Sequence, residues 1–185
     1  IMIEVVRKLI EGVRAGQIEI YNEFSLQHEI GILLRSRFPE QKVQFERNVS
    51  YFFQSGNFTK KEIDIAVFSP DKKTLSYSIE LKFPRNGQYP EQMFSFCKDI
   101  LFIEQLKKSG FKKAFLIIFA DDPLFYSGKG NGIYGYFRQK KKLSSLVQKP
   151  TGGRDETIRL SGSYVIEWVP VSGALKYTLI EAMNG

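Results

Sequence analysis

Two short segments of period-two alternation, separated by a turn, constrain this chain more than any other feature. Residues 61–83 read KEIDIAVFSPDKKTLSYSIELKF. Both Glu62-Ile63-Asp64-Ile65-Ala66-Val67 and Ser78-Ile79-Glu80-Leu81-Lys82-Phe83 alternate with period two. Ser69-Pro70-Asp71-Lys72-Lys73 between them is a turn signal. The stretch predicts two antiparallel strands joined by a tight connection. Successive side chains of a strand leave on opposite faces. Ile63, Ile65 and Val67 are expected on one face, with Asp64 on the other. Ile79, Leu81 and Phe83 are expected on one face, with Glu80 and Lys82 opposite. A core that takes the apolar sets leaves two carboxylates and one amine together.

The flanking segments extend the hairpin into a larger sheet. Val5, Val6, Leu9, Ile10 and Val13 recur at helical spacing, which predicts a helix over 2–16 ending near Gly16. A second helix is expected from an N-cap at Ser25 to about Phe38, where Pro39 stops it. Its apolar stripe is Leu26, Ile30 and Leu33; Glu29 lies at the stripe's edge, and His28 and Arg35 point to water. Residues 41–53 predict a first strand with a bend near Asn48. Pro90 suits the first turn of a long helix that Lys107, Lys108 and Gly110 close. The continuous apolar run Ala114–Ala120 predicts a central strand buried on both faces. A strand, a helix and a strand form a crossover, so this strand should run parallel to the one bearing Glu80. Asp121 and Asp122 then suit a loop start and N-cap. From Ser127 the chain loosens. Gly128–Gly132 is glycine-rich but lacks the Gly-Lys-Ser/Thr of a phosphate loop. Arg138–Lys142 (RQKKK) and the segment from Lys149 to Arg154 are basic, suited to a phosphate backbone or to solvent. Three strand-like segments follow, over 157–160, 163–169 and 175–181. The expectation is one domain over all 185 residues: α/β, a mixed central sheet flanked by helices, with extra C-terminal strands.

Composition narrows the function classes. Lys and Arg total 27 against 20 Asp and Glu, a net charge of +7, which favours an anionic partner such as nucleic acid. One cysteine (Cys97) and one histidine (His28) cannot build a disulfide framework or a zinc site. With no apolar run long enough to span a bilayer, the expectation is a cytoplasmic protein without a membrane partner. An oligomer is compatible with the sequence, which does not specify its order.

Glu80 and Lys82 leave their strand in parallel, about 7 Å apart at the backbone. Neighbouring carboxylates repel unless a positive charge lies between them, and hard oxygen ligands suit Mg²⁺. A lysine beside such a metal could hold or activate a water and steady a developing phosphorane charge. Asp64, followed by Glu80-Leu81-Lys82 on the next strand, resembles the core of the PD-(D/E)xK nuclease superfamily, with Ile63 where the family name has proline. The resemblance covers roughly residues 19–120 and implies the restriction-endonuclease-like fold. It implies a Mg²⁺-dependent nuclease, with Mn²⁺ as a substitute, that hydrolyses phosphodiester bonds in DNA. Asp64, Glu80 and the Leu81 carbonyl would bind the metal. Lys82 would position or deprotonate the attacking water, or steady the transition state. Glu29 would assist from the helix before the first core strand, and Gln92 is the candidate from the long helix. The alternative within the same fold is a catalytically silent nucleic-acid-binding module. A Glu80 turned into the apolar core, or lying more than about 8 Å from Asp64, would exclude a shared cation.

Overall fold

A computed structural model describes residues 1–85, 87–152 and 155–183. The chain opens with α1 (Met2–Arg14) and α2 (Glu23–Arg37). Strands β1 (Lys42–Asn48), β2 (Glu62–Phe68) and β3 (Leu75–Lys82) follow, each antiparallel to the next. The bend near Asn48 is a 3-10 turn over Val49–Tyr51. Helix α3 (Tyr89–Ser109) carries Pro90 in its first turn and ends at Gly110, where φ is 137°. It crosses to β4 (Lys113–Ala120), which pairs parallel with β3 in the register Glu80↔Leu116.

The last third adds α4 (Ile133–Arg138), β5 (Leu143–Gln148), β6 (Thr157–Tyr164), β7 (Val169–Ser172) and β8 (Leu175–Glu181). Strand β8 pairs antiparallel with β4, and β7 with β8. The mixed sheet has the order β1-β2-β3-β4-β8-β7; β5 and β6 form a separate two-stranded ribbon. Two expectations for this third are corrected. The stretch read as loose chain holds α4 and β5. The break expected before Ser163 is absent, because β6 runs unbroken to Tyr164 and the next strand begins only at Val169. Helix α4 has only six residues, three of them aromatic. Such a segment has little intrinsic helicity; it is held by packing, with Phe137 against Phe96 at 5.7 Å between ring centroids.

Two layers of apolar side chains enclose the sheet. Helices α1 and α2 cover Ile65, Val67, Ile79, Leu81, Phe115, Ile117 and Phe119. Helix α3 covers the other face, where Leu116, Ile118 and Ala120 meet Phe96, Ile100 and Ile103. The alternation predicted for β2 breaks at its start. Ile63 joins Ala66, Phe68, Phe102, Leu106 and Phe111 rather than Ile65 and Val67. The β1–β2 register itself is constant from Phe45↔Ile65 to Arg47↔Ile63, but Glu46 between them has φ 48°. Gly31 lets α2 lie close on this sheet, since a Cβ there would stand 2.4 Å from the Phe45 ring.

Candidate active site

The α3-facing side of β3 is polar throughout. Ser76, Ser78 and Glu80 are buried there and Lys82 is half-buried, while Tyr77, Ile79, Leu81 and Phe83 pack toward α1 and α2. A strand that buries polar side chains must give them partners. Continuing the pairing Ile65↔Ile79 by one step sets Asp64 opposite Glu80. Facing pairs on one side of a sheet have Cβ atoms about 5 Å apart. Hydrogen bonds fix this junction. Leu81 N–H donates to Asp64 Oδ2 (2.7 Å), and Asp64 N–H donates to Glu80 Oε1 (3.3 Å). Glu80 is fully buried, but its carboxyl meets charged groups rather than apolar core.

Two residues missed by sequence reasoning supply those groups. Lys60 donates to Glu80 Oε2 and pairs with Asp99 Oδ1 at 3.2 Å. Asp99 comes from α3 and is 2% exposed. Lys82 Nζ lies 3.9 Å from Asp99 Oδ2 and donates to the Leu81 carbonyl at 2.8 Å. Burial raises the Glu80 carboxyl well above the ordinary range, and the charge of Asp64 raises it further. Burial likewise raises Asp99, against the opposing charges of Lys82 and Lys60. Burial would pull both lysines down. Glu80, Asp99 and Asp64 outweigh it at Lys60, and Asp99, Glu23 and Asp64 do so at Lys82; both ammoniums are held above their usual value.

The glutamate that α2 brings to the cluster is Glu23, not Glu29. Glu23 Oε1 accepts from Lys82 Nζ at 3.4 Å, and its Oε2 accepts from Phe83 N–H at 3.4 Å. Burial raises its carboxyl, Lys82 opposes and Asp64 adds. The difference traces to the helix start. Asn22, rather than Ser25, is the N-cap; its side chain accepts from Ser25 N–H (2.7 Å) while Ser25 Oγ accepts from Asn22 N–H (3.1 Å). That reciprocal box places Glu23 in the first turn. One turn on, Gln27 Nε2 donates to the Asp64 carbonyl (2.9 Å) and to Glu46 Oε1 (2.5 Å). Glu29 is two residues past Gln27, about 200° around the helix. It is half-buried and lines a cleft of about 520 Å³ with Glu19, Tyr21, Phe24, His28 and Phe45. No hydrogen bond or ion pair links it to Asp64, Glu80 or Lys82 among the described residues. His28 is exposed, as its helical angle predicts. Gln92 is half-buried, and the side chain that α3 contributes is Asp99, seven residues on.

Signals for these residues were uneven. The Asn22-x-x-Ser25 pattern could have found Glu23. Asp99 stands among apolar positions of a helix, an oddity that marks a buried charge. Lys60 pairs across 20 residues and carries no periodic signal. The other acidic expectation holds: Asp122 Oδ1 caps a turn by accepting from Leu124 N–H (2.9 Å), and Asp121 pairs with Arg85. Among the basic residues of the last third, Arg138 donates to the Leu124 carbonyl, Lys140 pairs with Glu167 (3.0 Å), and Lys129, Lys141 and Lys142 are exposed. Arg154 lies outside the described residues.

The cluster holds four carboxyl groups (Glu23, Asp64, Glu80, Asp99) and two ammoniums. Fully ionised, it is short of two positive charges. Asp99 Oδ2 is buried without a hydrogen-bond partner, as is Ser78 Oγ on the same side of β3. Oxygen-only donors, a twofold deficit of charge and an unsatisfied carboxylate oxygen fit a hard divalent cation. Among the described residues, however, no three His, Cys, Asp or Glu side chains converge closely enough to hold a metal ion as they stand. No described helix is long and apolar enough to cross a membrane. Comparisons with protein-family models, curated proteins and solved structures find no match for this chain.

Proposed function

We propose that this protein is a metal-dependent nuclease of the PD-(D/E)xK type, with the restriction-endonuclease-like fold, acting on phosphodiester bonds of DNA. One observation carries the reading: Asp64 and Glu80 face each other across β2 and β3 beside the Lys82 ammonium, in a buried pocket short of positive charge. The order of elements from α2 to β4 supports the same fold.

Asp64, Glu80 and the Leu81 carbonyl would hold Mg²⁺ or Mn²⁺. When bound, the ion would supply an acidified water and a counter-charge for the phosphate. Three acidic groups hold Lys82 protonated, so its role is to steady negative charge at the reacting phosphate rather than to remove a proton. Glu23 orients Lys82 and the end of β3 through Phe83 N–H. Gln27 holds the Asp64 backbone through its carbonyl, leaving the carboxyl aimed at Leu81. The net charge of +7 favours a polyanionic substrate.

A second reading, the catalytically silent nucleic-acid-binding module, is favoured by Lys60, whose ammonium lies against Glu80 and already neutralises part of the pocket. Cleavage of supercoiled plasmid DNA with Mg²⁺ or Mn²⁺ decides between them. Nicking that disappears with EDTA, and in both Asp64→Ala and Lys82→Ala, is the expected result. Metal-independent DNA binding without nicking would favour the silent module and overturn the nuclease.

A further inference from the structure

Lys60 stands outside the triad that the chemistry requires, yet it makes the closest charge contacts in the pocket. It joins Glu80 from β3 to Asp99 from α3. Its side chain is 30% exposed, while those of Glu80 and Asp99 are 0% and 3%. Most of it is covered, by the two carboxylates and by the Phe102 ring, whose centroid lies 5.6 Å from the ammonium, but it is the most exposed of the three. The lysine enters from the chain just before β2, where Lys61 and Glu62 are exposed. Its head can leave toward solvent without disturbing the sheet; the two carboxylates cannot follow.

We propose that Lys60 is the resident counter-ion of the Glu80–Asp99 pair and that a divalent cation enters the site by displacing it. This inference rests on the metal-dependent reading of the same pocket. The exchange is favourable electrostatically. With Lys60 in place the four carboxylates and two ammoniums are short of two positive charges, and a divalent ion in its place leaves them short of one; Asp99 Oδ2 has no hydrogen bond and only the Lys82 ammonium at 3.9 Å. A doubly charged ion in its place supplies more charge to the same oxygens and reaches the oxygen that Lys60 does not satisfy. Lys60 thus sets the cation affinity. It holds the buried carboxylates in position in the absence of metal and weakens metal binding by the energy of its own two ion pairs.

Mn²⁺ titration followed by the electron paramagnetic resonance of the free ion tests this, with wild type beside Lys60→Met. The methionine keeps the stem's volume and removes the competitor. The variant should bind one Mn²⁺ per chain at least tenfold more tightly than wild type, and adding Asp99→Asn should reverse the gain. Equal or weaker binding by a variant with wild-type near-ultraviolet dichroism overturns the proposal. If Lys60→Met does not fold, the wild-type chain still decides. Saturating Mn²⁺ should raise the rate at which an amine-reactive reagent labels Lys60 several-fold, read by mass spectrometry, and leave the exposed Lys140 unchanged. Labelling of Lys60 that is unchanged or slowed overturns displacement. The two readings fail separately. Tighter Mn²⁺ binding without plasmid cleavage by either protein supports displacement and removes the nuclease. Cleavage by wild type with unaltered affinity in the variant does the reverse.

Discussion

Helix α3 presents two buried acids, and they are treated in opposite ways. Glu104 meets only neutral donors. Its Oε2 accepts from Ser161 N–H (2.9 Å), and its Oε1 accepts from Gly162 N–H and the Tyr164 hydroxyl (both 2.7 Å). Gly162 is needed for that approach, because a Cβ there would stand 3.0 Å from Glu104 Oε1 and 2.6 Å from the Tyr164 oxygen. Asp99, five residues earlier, meets two lysines and a second buried acid, and keeps one oxygen without a hydrogen bond. A carboxyl that stitches β6 to a helix is satisfied by fixed dipoles and asks nothing of its surroundings. One that stands among repelling acids and too few ammoniums is under-neutralised, and such a site gains by taking a charge from outside. Burial alone does not separate the two, since both acids are below 10% exposed. The nature of the partners does.

The largest effects should fall on opposite observables. Asp64→Ala should lower plasmid cleavage on the order of 10³-fold, because it removes a carboxylate proposed to hold the metal. Its melting temperature should change little, since the lost Leu81 N–H bond is offset by relief of repulsion at Glu80. Glu104→Ala should do the reverse. Three donors lose their acceptor, which costs about 3 kcal/mol, or roughly 6–12 °C in a chain of this size. Cleavage per folded molecule should be unchanged. A Glu104 variant that folds normally but cannot cut would break the distinction between the two acids.

The hairpin, the crossover helix and the buried parallel strand were legible because each depends on local periodicity or on one chain rule. That Asp64, Glu80 and Lys82 leave the same side of the sheet followed from period two. What escaped was set by contacts distant in sequence. Lys60 meets Asp99 across 39 positions, and nothing near either residue announces the pairing. Glu23 is hard to read because Ser25 looks like the cap, when its hydroxyl serves as the returning half of a box capped by Asn22. Helix α4 and β5 were read as loose chain because their stability lies in packing on α3 rather than in their own propensity.

A smaller effect distinguishes the two glutamates of α2. Glu23→Gln should reduce cleavage about 10- to 100-fold, the usual range for a residue that orients a functional group rather than reacting. Glu29→Gln should leave it unaltered, since no hydrogen bond or ion pair ties Glu29 to Asp64, Glu80 or Lys82 among the described residues. If Glu29→Gln is the damaging change and Glu23→Gln is silent, the acid at the edge of the apolar stripe is the working one.

The smallest effect tests the structural acid through its own donor. Tyr164→Phe removes one hydrogen bond to Glu104 and the acceptor for Met183 N–H at 3.3 Å. It should cost about 1 kcal/mol near pH 8. The pH dependence identifies the cause. Burial first, then the bond to Glu104, holds the Tyr164 hydroxyl above its ordinary value of 10.0. Below pH 10 the phenol is protonated in both the folded and unfolded chains, and its contribution is fully present. Above pH 10 the unfolded chain releases the proton while the folded chain retains it, so unfolding is favoured progressively. Urea denaturation at pH 8 and pH 10.5 should therefore show the wild-type advantage over Tyr164→Phe shrinking at the higher pH. Groups common to both proteins cancel in that difference. A gap that stays constant across the two pH values would mean that the hydroxyl ionises equally in both states, and that the bond to Glu104 does not hold its proton.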